Sequence, residues 1–436
     1  LYDSYIRAIR WAADRIGDQG VSAFVSGSAW VDRNFGDGVR KCLSDECSSL
    51  FVVHLRGDIR KNMLSKGLAL EGENVFDSGS MSGIAISILV KSPQASKQGK
   101  VYFYDIGDDL TASEKKAELI RFKGVAGVSE QKLWETITPD ESNDWLDQRD
   151  RKFDRFSVIG NKKKNSDDPI FSIYSSGIKT NRDNWVVNSS LTQLVQSTVS
   201  MCAFYNAQVR SYAESNDRRS GDAFVDKNPK SIKWCQKTVR GVEKGRRWEI
   251  EPDGYRQYVY RPFSKVWLYT DPLFTWSGYQ MKSIFPKKET ENLVIATVGM
   301  GSRNGFTVSM FDTVPDVNLL EAGAYCYPLK LFEPASADDG LFANSETGYT
   351  ERDGISDVRL KHFQDAYAGE QISKEDLFYY IYGLLHSPDY RERFKNNLSK
   401  ELPRIPAVKT AADFGAFSKA GRALGDRHVN YETVDP

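Results

Sequence analysis

Apolar residues recur at helical spacing close to the start of the chain. Ile6, Ile9, Ala13 and Ile16 share one face, and Gly17 and Gly20 interrupt the pattern, which predicts a helix over residues 3–17. Val21-Ser22-Ala23-Phe24-Val25-Ser26 predicts a short strand, residues 34–43 a helix, and Leu50-Phe51-Val52-Val53-His54-Leu55 a second strand. A glycine-spaced loop from Gly57 to Gly83 leads into Ile84-Ala85-Ile86-Ser87-Ile88-Leu89-Val90. That run is apolar and rich in β-branched residues, as expected of a strand covered on both faces. Val101-Tyr102-Phe103-Tyr104 adds another strand. The alternation predicts an α/β unit over residues 1–112 that holds half of a doubly wound sheet, with an unpaired edge at Val21–Ser26.

The pattern changes after residue 112. Residues 113–150 are charged and helical in character and read as a connector. Over 151–370 short strand-like runs alternate with Gly, Pro, Asn and Asp, predicting an irregular α+β domain with embedded helices, one of them around Leu191–Ser215. Residues 371–436 turn helical again. Ser373-Lys374-Glu375-Asp376 fits a capping box with Asp in place of Glu, and Ser387-Pro388 starts a second helix that ends before Leu402-Pro403.

Composition narrows the chemistry mainly by exclusion. Lys+Arg and Asp+Glu both number 59, so only a local basic surface can mark a polyanionic partner. The longest apolar run, Ile84 to Val90, is far shorter than the roughly 20 residues a membrane span needs. The five cysteines form no C-x-x-C pair and stand near none of the four histidines in sequence, which argues against a zinc site and for reduced thiols in a cytosolic protein. Neither a dinucleotide-binding glycine loop nor a Walker loop, a nucleophile elbow or an H-E-x-x-H helix is present. No catalytic set is recognisable, and no metal site is expected.

Two features remain. The loop Glu71-Gly72-Glu73-Asn74-Val75-Phe76-Asp77 precedes the buried strand, and an aromatic at such a rim suits stacking on a base extruded from a duplex, although Phe76 also suits a core cap. Basic and amide residues cluster among aromatics at Lys162-Lys163-Lys164, Lys179, Asn181, Arg182, Arg246, Arg247, Arg261, Arg303 and Asn304. Singly, each reads as a solvated surface. Together they suit phosphate contacts and reading of base edges in double-stranded DNA.

Further strings carry a resemblance. Leu1-Tyr2-Asp3-Ser4-Tyr5-Ile6-Arg7, Leu55-Arg56-Gly57-Asp58-Ile59-Arg60 and Glu73-Asn74-Val75-Phe76 are similar to methyltransferase landmarks of the single-polypeptide Type ISP restriction-modification enzymes. Thr180-Asn181-Arg182-Asp183-Asn184-Trp185, Tyr260-Arg261-Pro262-Phe263 and Trp267-Leu268-Tyr269 resemble that family's target recognition domain. Tyr379-Tyr380-Ile381-Tyr382-Gly383-Leu384-Leu385-His386-Ser387-Pro388 is the most specific match, with Leu402-Pro403-Arg404-Ile405-Pro406 in support.

The resemblance implies the C-terminal half of a γ-class adenine-N6 DNA methyltransferase domain, then a target recognition domain, in a bacterial cytoplasmic enzyme. The chain begins inside a helical pattern without an initiator Met, and the family's Asn-Pro-Pro-Tyr motif and S-adenosylmethionine loop are not in it. The missing methyltransferase half, translocase and nuclease are therefore expected upstream on the same polypeptide. S-adenosylmethionine, ATP and Mg are expected for the parent enzyme and no cofactor for this chain, which alone is expected to be inactive. The resemblance carries only one role onto a residue, Phe76 stacking on the flipped adenine. The alternative reading is a non-catalytic specificity subunit that partners a separate methyltransferase.

Overall fold

The computed structural model describes residues 3–59, 71–76, 79–161, 168–215, 220–302, 304–321, 323–335 and 348–433. Five strands, β1 (Gly20–Gly27), β2 (Ser49–Arg56), β3 (Ile84–Lys91), β4 (Lys100–Asp105) and β5 (Glu135–Ile137), form one sheet in the order β1-β3-β2-β4-β5. Strands β2 and β4 run parallel, and every other pair is antiparallel. Alternate residues of β2 point to opposite faces. Leu50 and Val52 join Ile6, Ile9, Trp30, Leu43 and Leu89 in one core, while Val53 and Leu55 join Val75, Ile84 and Ile106 in another. The largely apolar run of β3 is thus explained by a core on each face. Strand β1 is the outermost strand at one end of this sheet, and Val21 and Val25 are exposed along it.

The chain divides into two compact units. The first comprises residues 1–153 with 303–305 and 394–401, and the second comprises the remainder. The segment read as a connector therefore belongs to the first unit. Its helices Ala112–Phe122 and Val125–Glu130 are followed by β5, which pairs with β4.

The rest of that segment surrounds a buried carboxylate. Asp144 is fully buried and forms ion pairs with Arg40 at 3.0 Å, Arg149 at 3.1 Å and Lys400 at 3.0 Å. Arg40 also donates to the carbonyls of Trp30, Arg33 and Asn143, and Lys400 to those of Leu146 and Asp147. The cluster joins residues that lie far apart in sequence.

The same joint explains a departure from the expected C-terminal helices. The helix starting at Pro388 stops at Arg393 and a separate one runs over Lys395–Lys400. At the break, the Phe394 ring packs 5.1 Å from Phe153, and the Asn397 side chain accepts from Asp150 N–H and donates to Asp150 C=O. Tertiary contacts of residues 394–401 with Asp150 and Phe153 override local helix continuity.

In the second unit the strands are β6 (Ser157–Val158), β7 (Ser175–Ser176), β8 (Val187–Asn188), β9 (Tyr255–Arg261), β10 (Ser264–Tyr269), β11 (Val294–Val298), β12 (Val308–Phe311), β13 (Val314–Pro315), β14 (Ala324–Pro328), β15 (Lys330–Pro334), β16 (Tyr349–Asp353) and β17 (Arg404–Ile405). They build two four-stranded sheets, β13-β9-β10-β8 and β12-β11-β14-β7, and two pairs, β15-β16 and β17-β6. The expected embedded helix spans Leu191–Glu214 and buries Leu194, Met201, Tyr205 and Val209 against the sheets. Helix Lys374–Leu385 carries the capping box read from Ser373 and Asp376. A further helix, Ala411–Val429, packs on it without side-chain spacing between them. A Cβ on Gly421 would sit 2.0 Å from the Tyr379 carbonyl oxygen, and one on Gly383 would sit 2.3 Å from that of Phe417.

Removing the Asp144 carboxylate leaves buried cations without their counter-charge. Asp144→Ala is expected to cost about 3–5 kcal/mol of stability, measured by chemical denaturation. A loss below about 1 kcal/mol, the range of an exposed pair, would refute this role for the cluster.

Candidate nucleic-acid interface

A polar concavity of about 320 Å³ opens on the second unit, lined by Lys179–Trp185, Lys233 and Asp316–Asn318. Backbone pairing assembles it from distant segments. Ile178 N–H donates to Pro315 C=O at 2.8 Å and Val317 N–H to Ile178 C=O at 2.9 Å. Lys179 and Ser277 exchange both backbone hydrogen bonds, at 2.9 and 3.0 Å. The chain then turns at Asn181, whose φ of 58° lies in the left-handed region that asparagine tolerates better than most residues. Thr180 Oγ1 holds the turn by accepting from Arg182 N–H at 3.2 Å.

Two carboxylates form the floor, and both are engaged from within. Asp316 is 3% exposed. It accepts from the Tyr258 hydroxyl, from Arg261 Nη1 at 3.0 Å and from Asn318 N–H at 2.8 Å. Burial, together with this carboxylate, pushes the Tyr258 hydroxyl far up, so it stays a donor. Burial likewise raises the Asp316 carboxyl, an effect its hydrogen bonds oppose. Asp183 accepts from the Thr180 hydroxyl and from the Tyr260 hydroxyl at 3.1 Å. The Tyr260 hydroxyl is raised by burial and by Asp183.

The outward groups are different. Asn181, Asn184, Lys233 and Asn318 are exposed and Lys179 is half-buried. Among the described residues, the three side-chain amides make no hydrogen bond and the two ammonium groups no ion pair. The site therefore presents, among the described residues, unspent donors, acceptors and positive charge beside carboxylates that are already engaged. That suits a ligand carrying negative charge and hydrogen-bonding edges.

The other candidates from sequence are placed differently. Arg182 lines the concavity but is buried, donating to Phe274 C=O at 2.7 Å with its guanidinium 5.4 Å from the Phe274 ring. Arg261 is held by Asp316 and lies 4.0 Å over the Tyr260 ring. Arg246 and Arg247 are exposed on a loop outside the concavity, where the Tyr205 hydroxyl donates to Arg246 C=O. Asn304 is exposed and groups with the first unit. Lys162, Lys163, Lys164 and Arg303 lie outside the described residues. Asn184, Lys233 and Asn318 were not singled out as site residues by sequence. Asn184 stands in a string already quoted, but Asn318 reaches the site only through the long-range pairing of Ile178 with Asp316.

In the first unit, Phe76 projects from a loop that spends its polar groups internally. Asn74 is buried, donates to Gly57 C=O at 2.9 Å and Ser82 C=O at 2.8 Å, and accepts from Phe76 N–H at 3.0 Å. Gly57 has φ of 82°, and a Cβ there would lie 2.8 Å from Asn74 Cα. The Lys115 ammonium, buried under the loop, donates to the carbonyls of Glu71 and Glu73. Phe76 itself remains 54% exposed.

The second unit joins two four-stranded sheets to a polar concavity. A family model described as the Type ISP C-terminal specificity domain matches residues 169–436, and the chain belongs to the Type ISP restriction-modification family. Three solved structures are similar over the whole chain. The Type ISP enzyme LlaBIII bound to DNA is 32% identical with a TM-score of 0.82. A nuclease-deletion mutant of the Type ISP enzyme LlaGI with a DNA substrate mimic is 31% identical with a TM-score of 0.79. A DrdV–DNA complex is 30% identical with a TM-score of 0.79. The chain spans 27%, 32% and 40% of those three chains. No curated protein matches it. Among the described residues, no helix is long and apolar enough to cross a membrane.

The contrast between buried and exposed cations is measurable. Arg182→Ala leaves the buried Phe274 carbonyl without its donor and is expected to cost about 1–3 kcal/mol in chemical denaturation. Lys233→Ala, at an exposed position, is expected to stay within about 0.5 kcal/mol of the wild type. Equal effects would contradict the difference in burial.

Proposed function

We propose that the second unit recognises a short, asymmetric sequence in double-stranded DNA on behalf of a longer restriction-modification enzyme. The carrying observation is the concavity at Lys179–Trp185 and Asp316–Asn318, where, among the described residues, the asparagine amides make no hydrogen bond and the lysine ammonium groups no ion pair. Lysines there suit phosphates and asparagines suit base edges. Family membership and the DNA complexes of the three relatives support the reading.

In this reading the whole enzyme methylates one adenine with S-adenosylmethionine, and translocates along and cleaves DNA that is unmethylated on both strands, using ATP and Mg. The Asn-Pro-Pro-Tyr motif and the glycine-rich loop that such methyl transfer uses do not occur among the 436 residues. No bond-making step is therefore assigned to this chain. Its one contribution at the methyl-transfer site is Phe76, whose exposed ring stacks on the extruded adenine while Asn74 holds the loop.

Selection of bound duplexes from a randomised library by the full-length protein tests recognition. One enriched short sequence is expected, with affinity falling steeply as salt rises because phosphate contacts release counterions. Binding without sequence preference, or no binding, overturns the proposal. Phe76→Ala in the full-length protein is expected to lower methylation efficiency by about 1–3 kcal/mol of stacking, with DNA selection unchanged. Unaltered methylation would remove Phe76 from that role.

A further inference from the structure

We infer that Asn181, Asn184 and Asn318 are specificity-determining residues whose side-chain amides read base edges in the major groove, adenine foremost. The assignment rests on the recognition reading above and names the groups that carry it out. A carboxamide offers a donor and an acceptor side by side. Adenine shows the complementary pair in the major groove, an N7 acceptor and an N6 donor.

The structural asparagines of this chain behave differently. Asn74, Asn292 and Asn397 are buried, and each spends its amide on backbone groups. Asn181, Asn184 and Asn318 are exposed, and among the described residues their side chains bond to nothing. An exposed asparagine is by itself an ordinary turn residue. Here three of them, from two segments more than a hundred residues apart in sequence, line one concavity of about 320 Å³.

The backbones at Asn181 and Asn318 are held by hydrogen bonds. The turn at Asn181 is fixed by the paired Lys179–Ser277 backbone and by Thr180 Oγ1 on Arg182 N–H. The Asn318 N–H donates to the buried Asp316 carboxylate at 2.8 Å. Reading groups on a rigid support lose little entropy when they engage. The two acids of the lining, Asp183 and Asp316, are already engaged by Thr180, Tyr260, Tyr258 and Arg261. Lys179 and Lys233 line the same concavity and supply positive charge for the flanking phosphates.

The test compares the full-length wild type with Asn181→Gly, Asn184→Ala and Asn318→Ala. Glycine at 181 keeps the left-handed turn while removing the amide, and melting temperatures confirm that all variants fold. Duplexes bound from a randomised library are sequenced at one fixed salt concentration. Each variant is expected to relax its preference at one or two base pairs, with a loss of discrimination there of roughly 5- to 150-fold. Affinity for unrelated DNA is expected to stay within about threefold, because phosphate contacts supply most of it. A wild type that selects one sequence beside variants that select it equally well overturns the assignment. So does a uniform loss of affinity with the preference intact, which marks a phosphate contact. A wild type that selects nothing overturns the underlying recognition reading, and this assignment with it.

Discussion

A carboxylate taken out of water must be neutralised or hydrogen-bonded, and each unit of this protein is organised around one that is. Asp144 gathers Arg40, Arg149 and Lys400, and so ties the Trp30–Arg40 region, the 143–150 turn and the 394–401 segment into one body. Asp316 gathers the Tyr258 hydroxyl, the Arg261 guanidinium and the Asn318 N–H. The groups cannot leave without stranding a buried charge, which costs several kcal/mol. Segments far apart in sequence are held together by this requirement as much as by apolar packing.

The same economy separates support from recognition. Around the concavity, the acids and the buried Arg182 satisfy one another and the backbone. Among the described residues, the asparagine amides and lysine ammonium groups there make no hydrogen bond or ion pair. In the first unit, Asn74 and Lys115 are consumed by their loop, and Phe76 is exposed. Both places show a rigid polar support with the chemically useful group left unspent.

Much of this was legible along the chain. The strands 20–27, 49–56, 84–91 and 100–105, the helix at 191–214 and the Ser373 capping box follow from short-range periodicity and cap chemistry. Helix Ala411–Val429 was harder to read, because Gly415, Gly421 and Gly425 weaken its local signal. Two of those glycines have a tertiary reason. Gly421 lies against the backbone of Lys374–Leu385, and Gly425 against the Met310 side chain. The split at Phe394 was likewise invisible, since it depends on Phe153 and Asp150 rather than on the helix sequence itself.

For the site, the sequence by itself determined which residue types were available: Lys179, Asn181 and Arg182 in one string, Arg261 in another, and Phe76 ahead of a buried strand. It did not determine which of them face outward. Only the tertiary structure turned Arg182 inward onto Phe274, clamped Arg261 to Asp316, and brought Asn318 beside Asn181 through the pairing of residue 178 with residue 316. The physical reason is that periodicity and caps act over one or two turns of chain. Whether a polar group is spent or free depends on partners that only long-range pairing supplies.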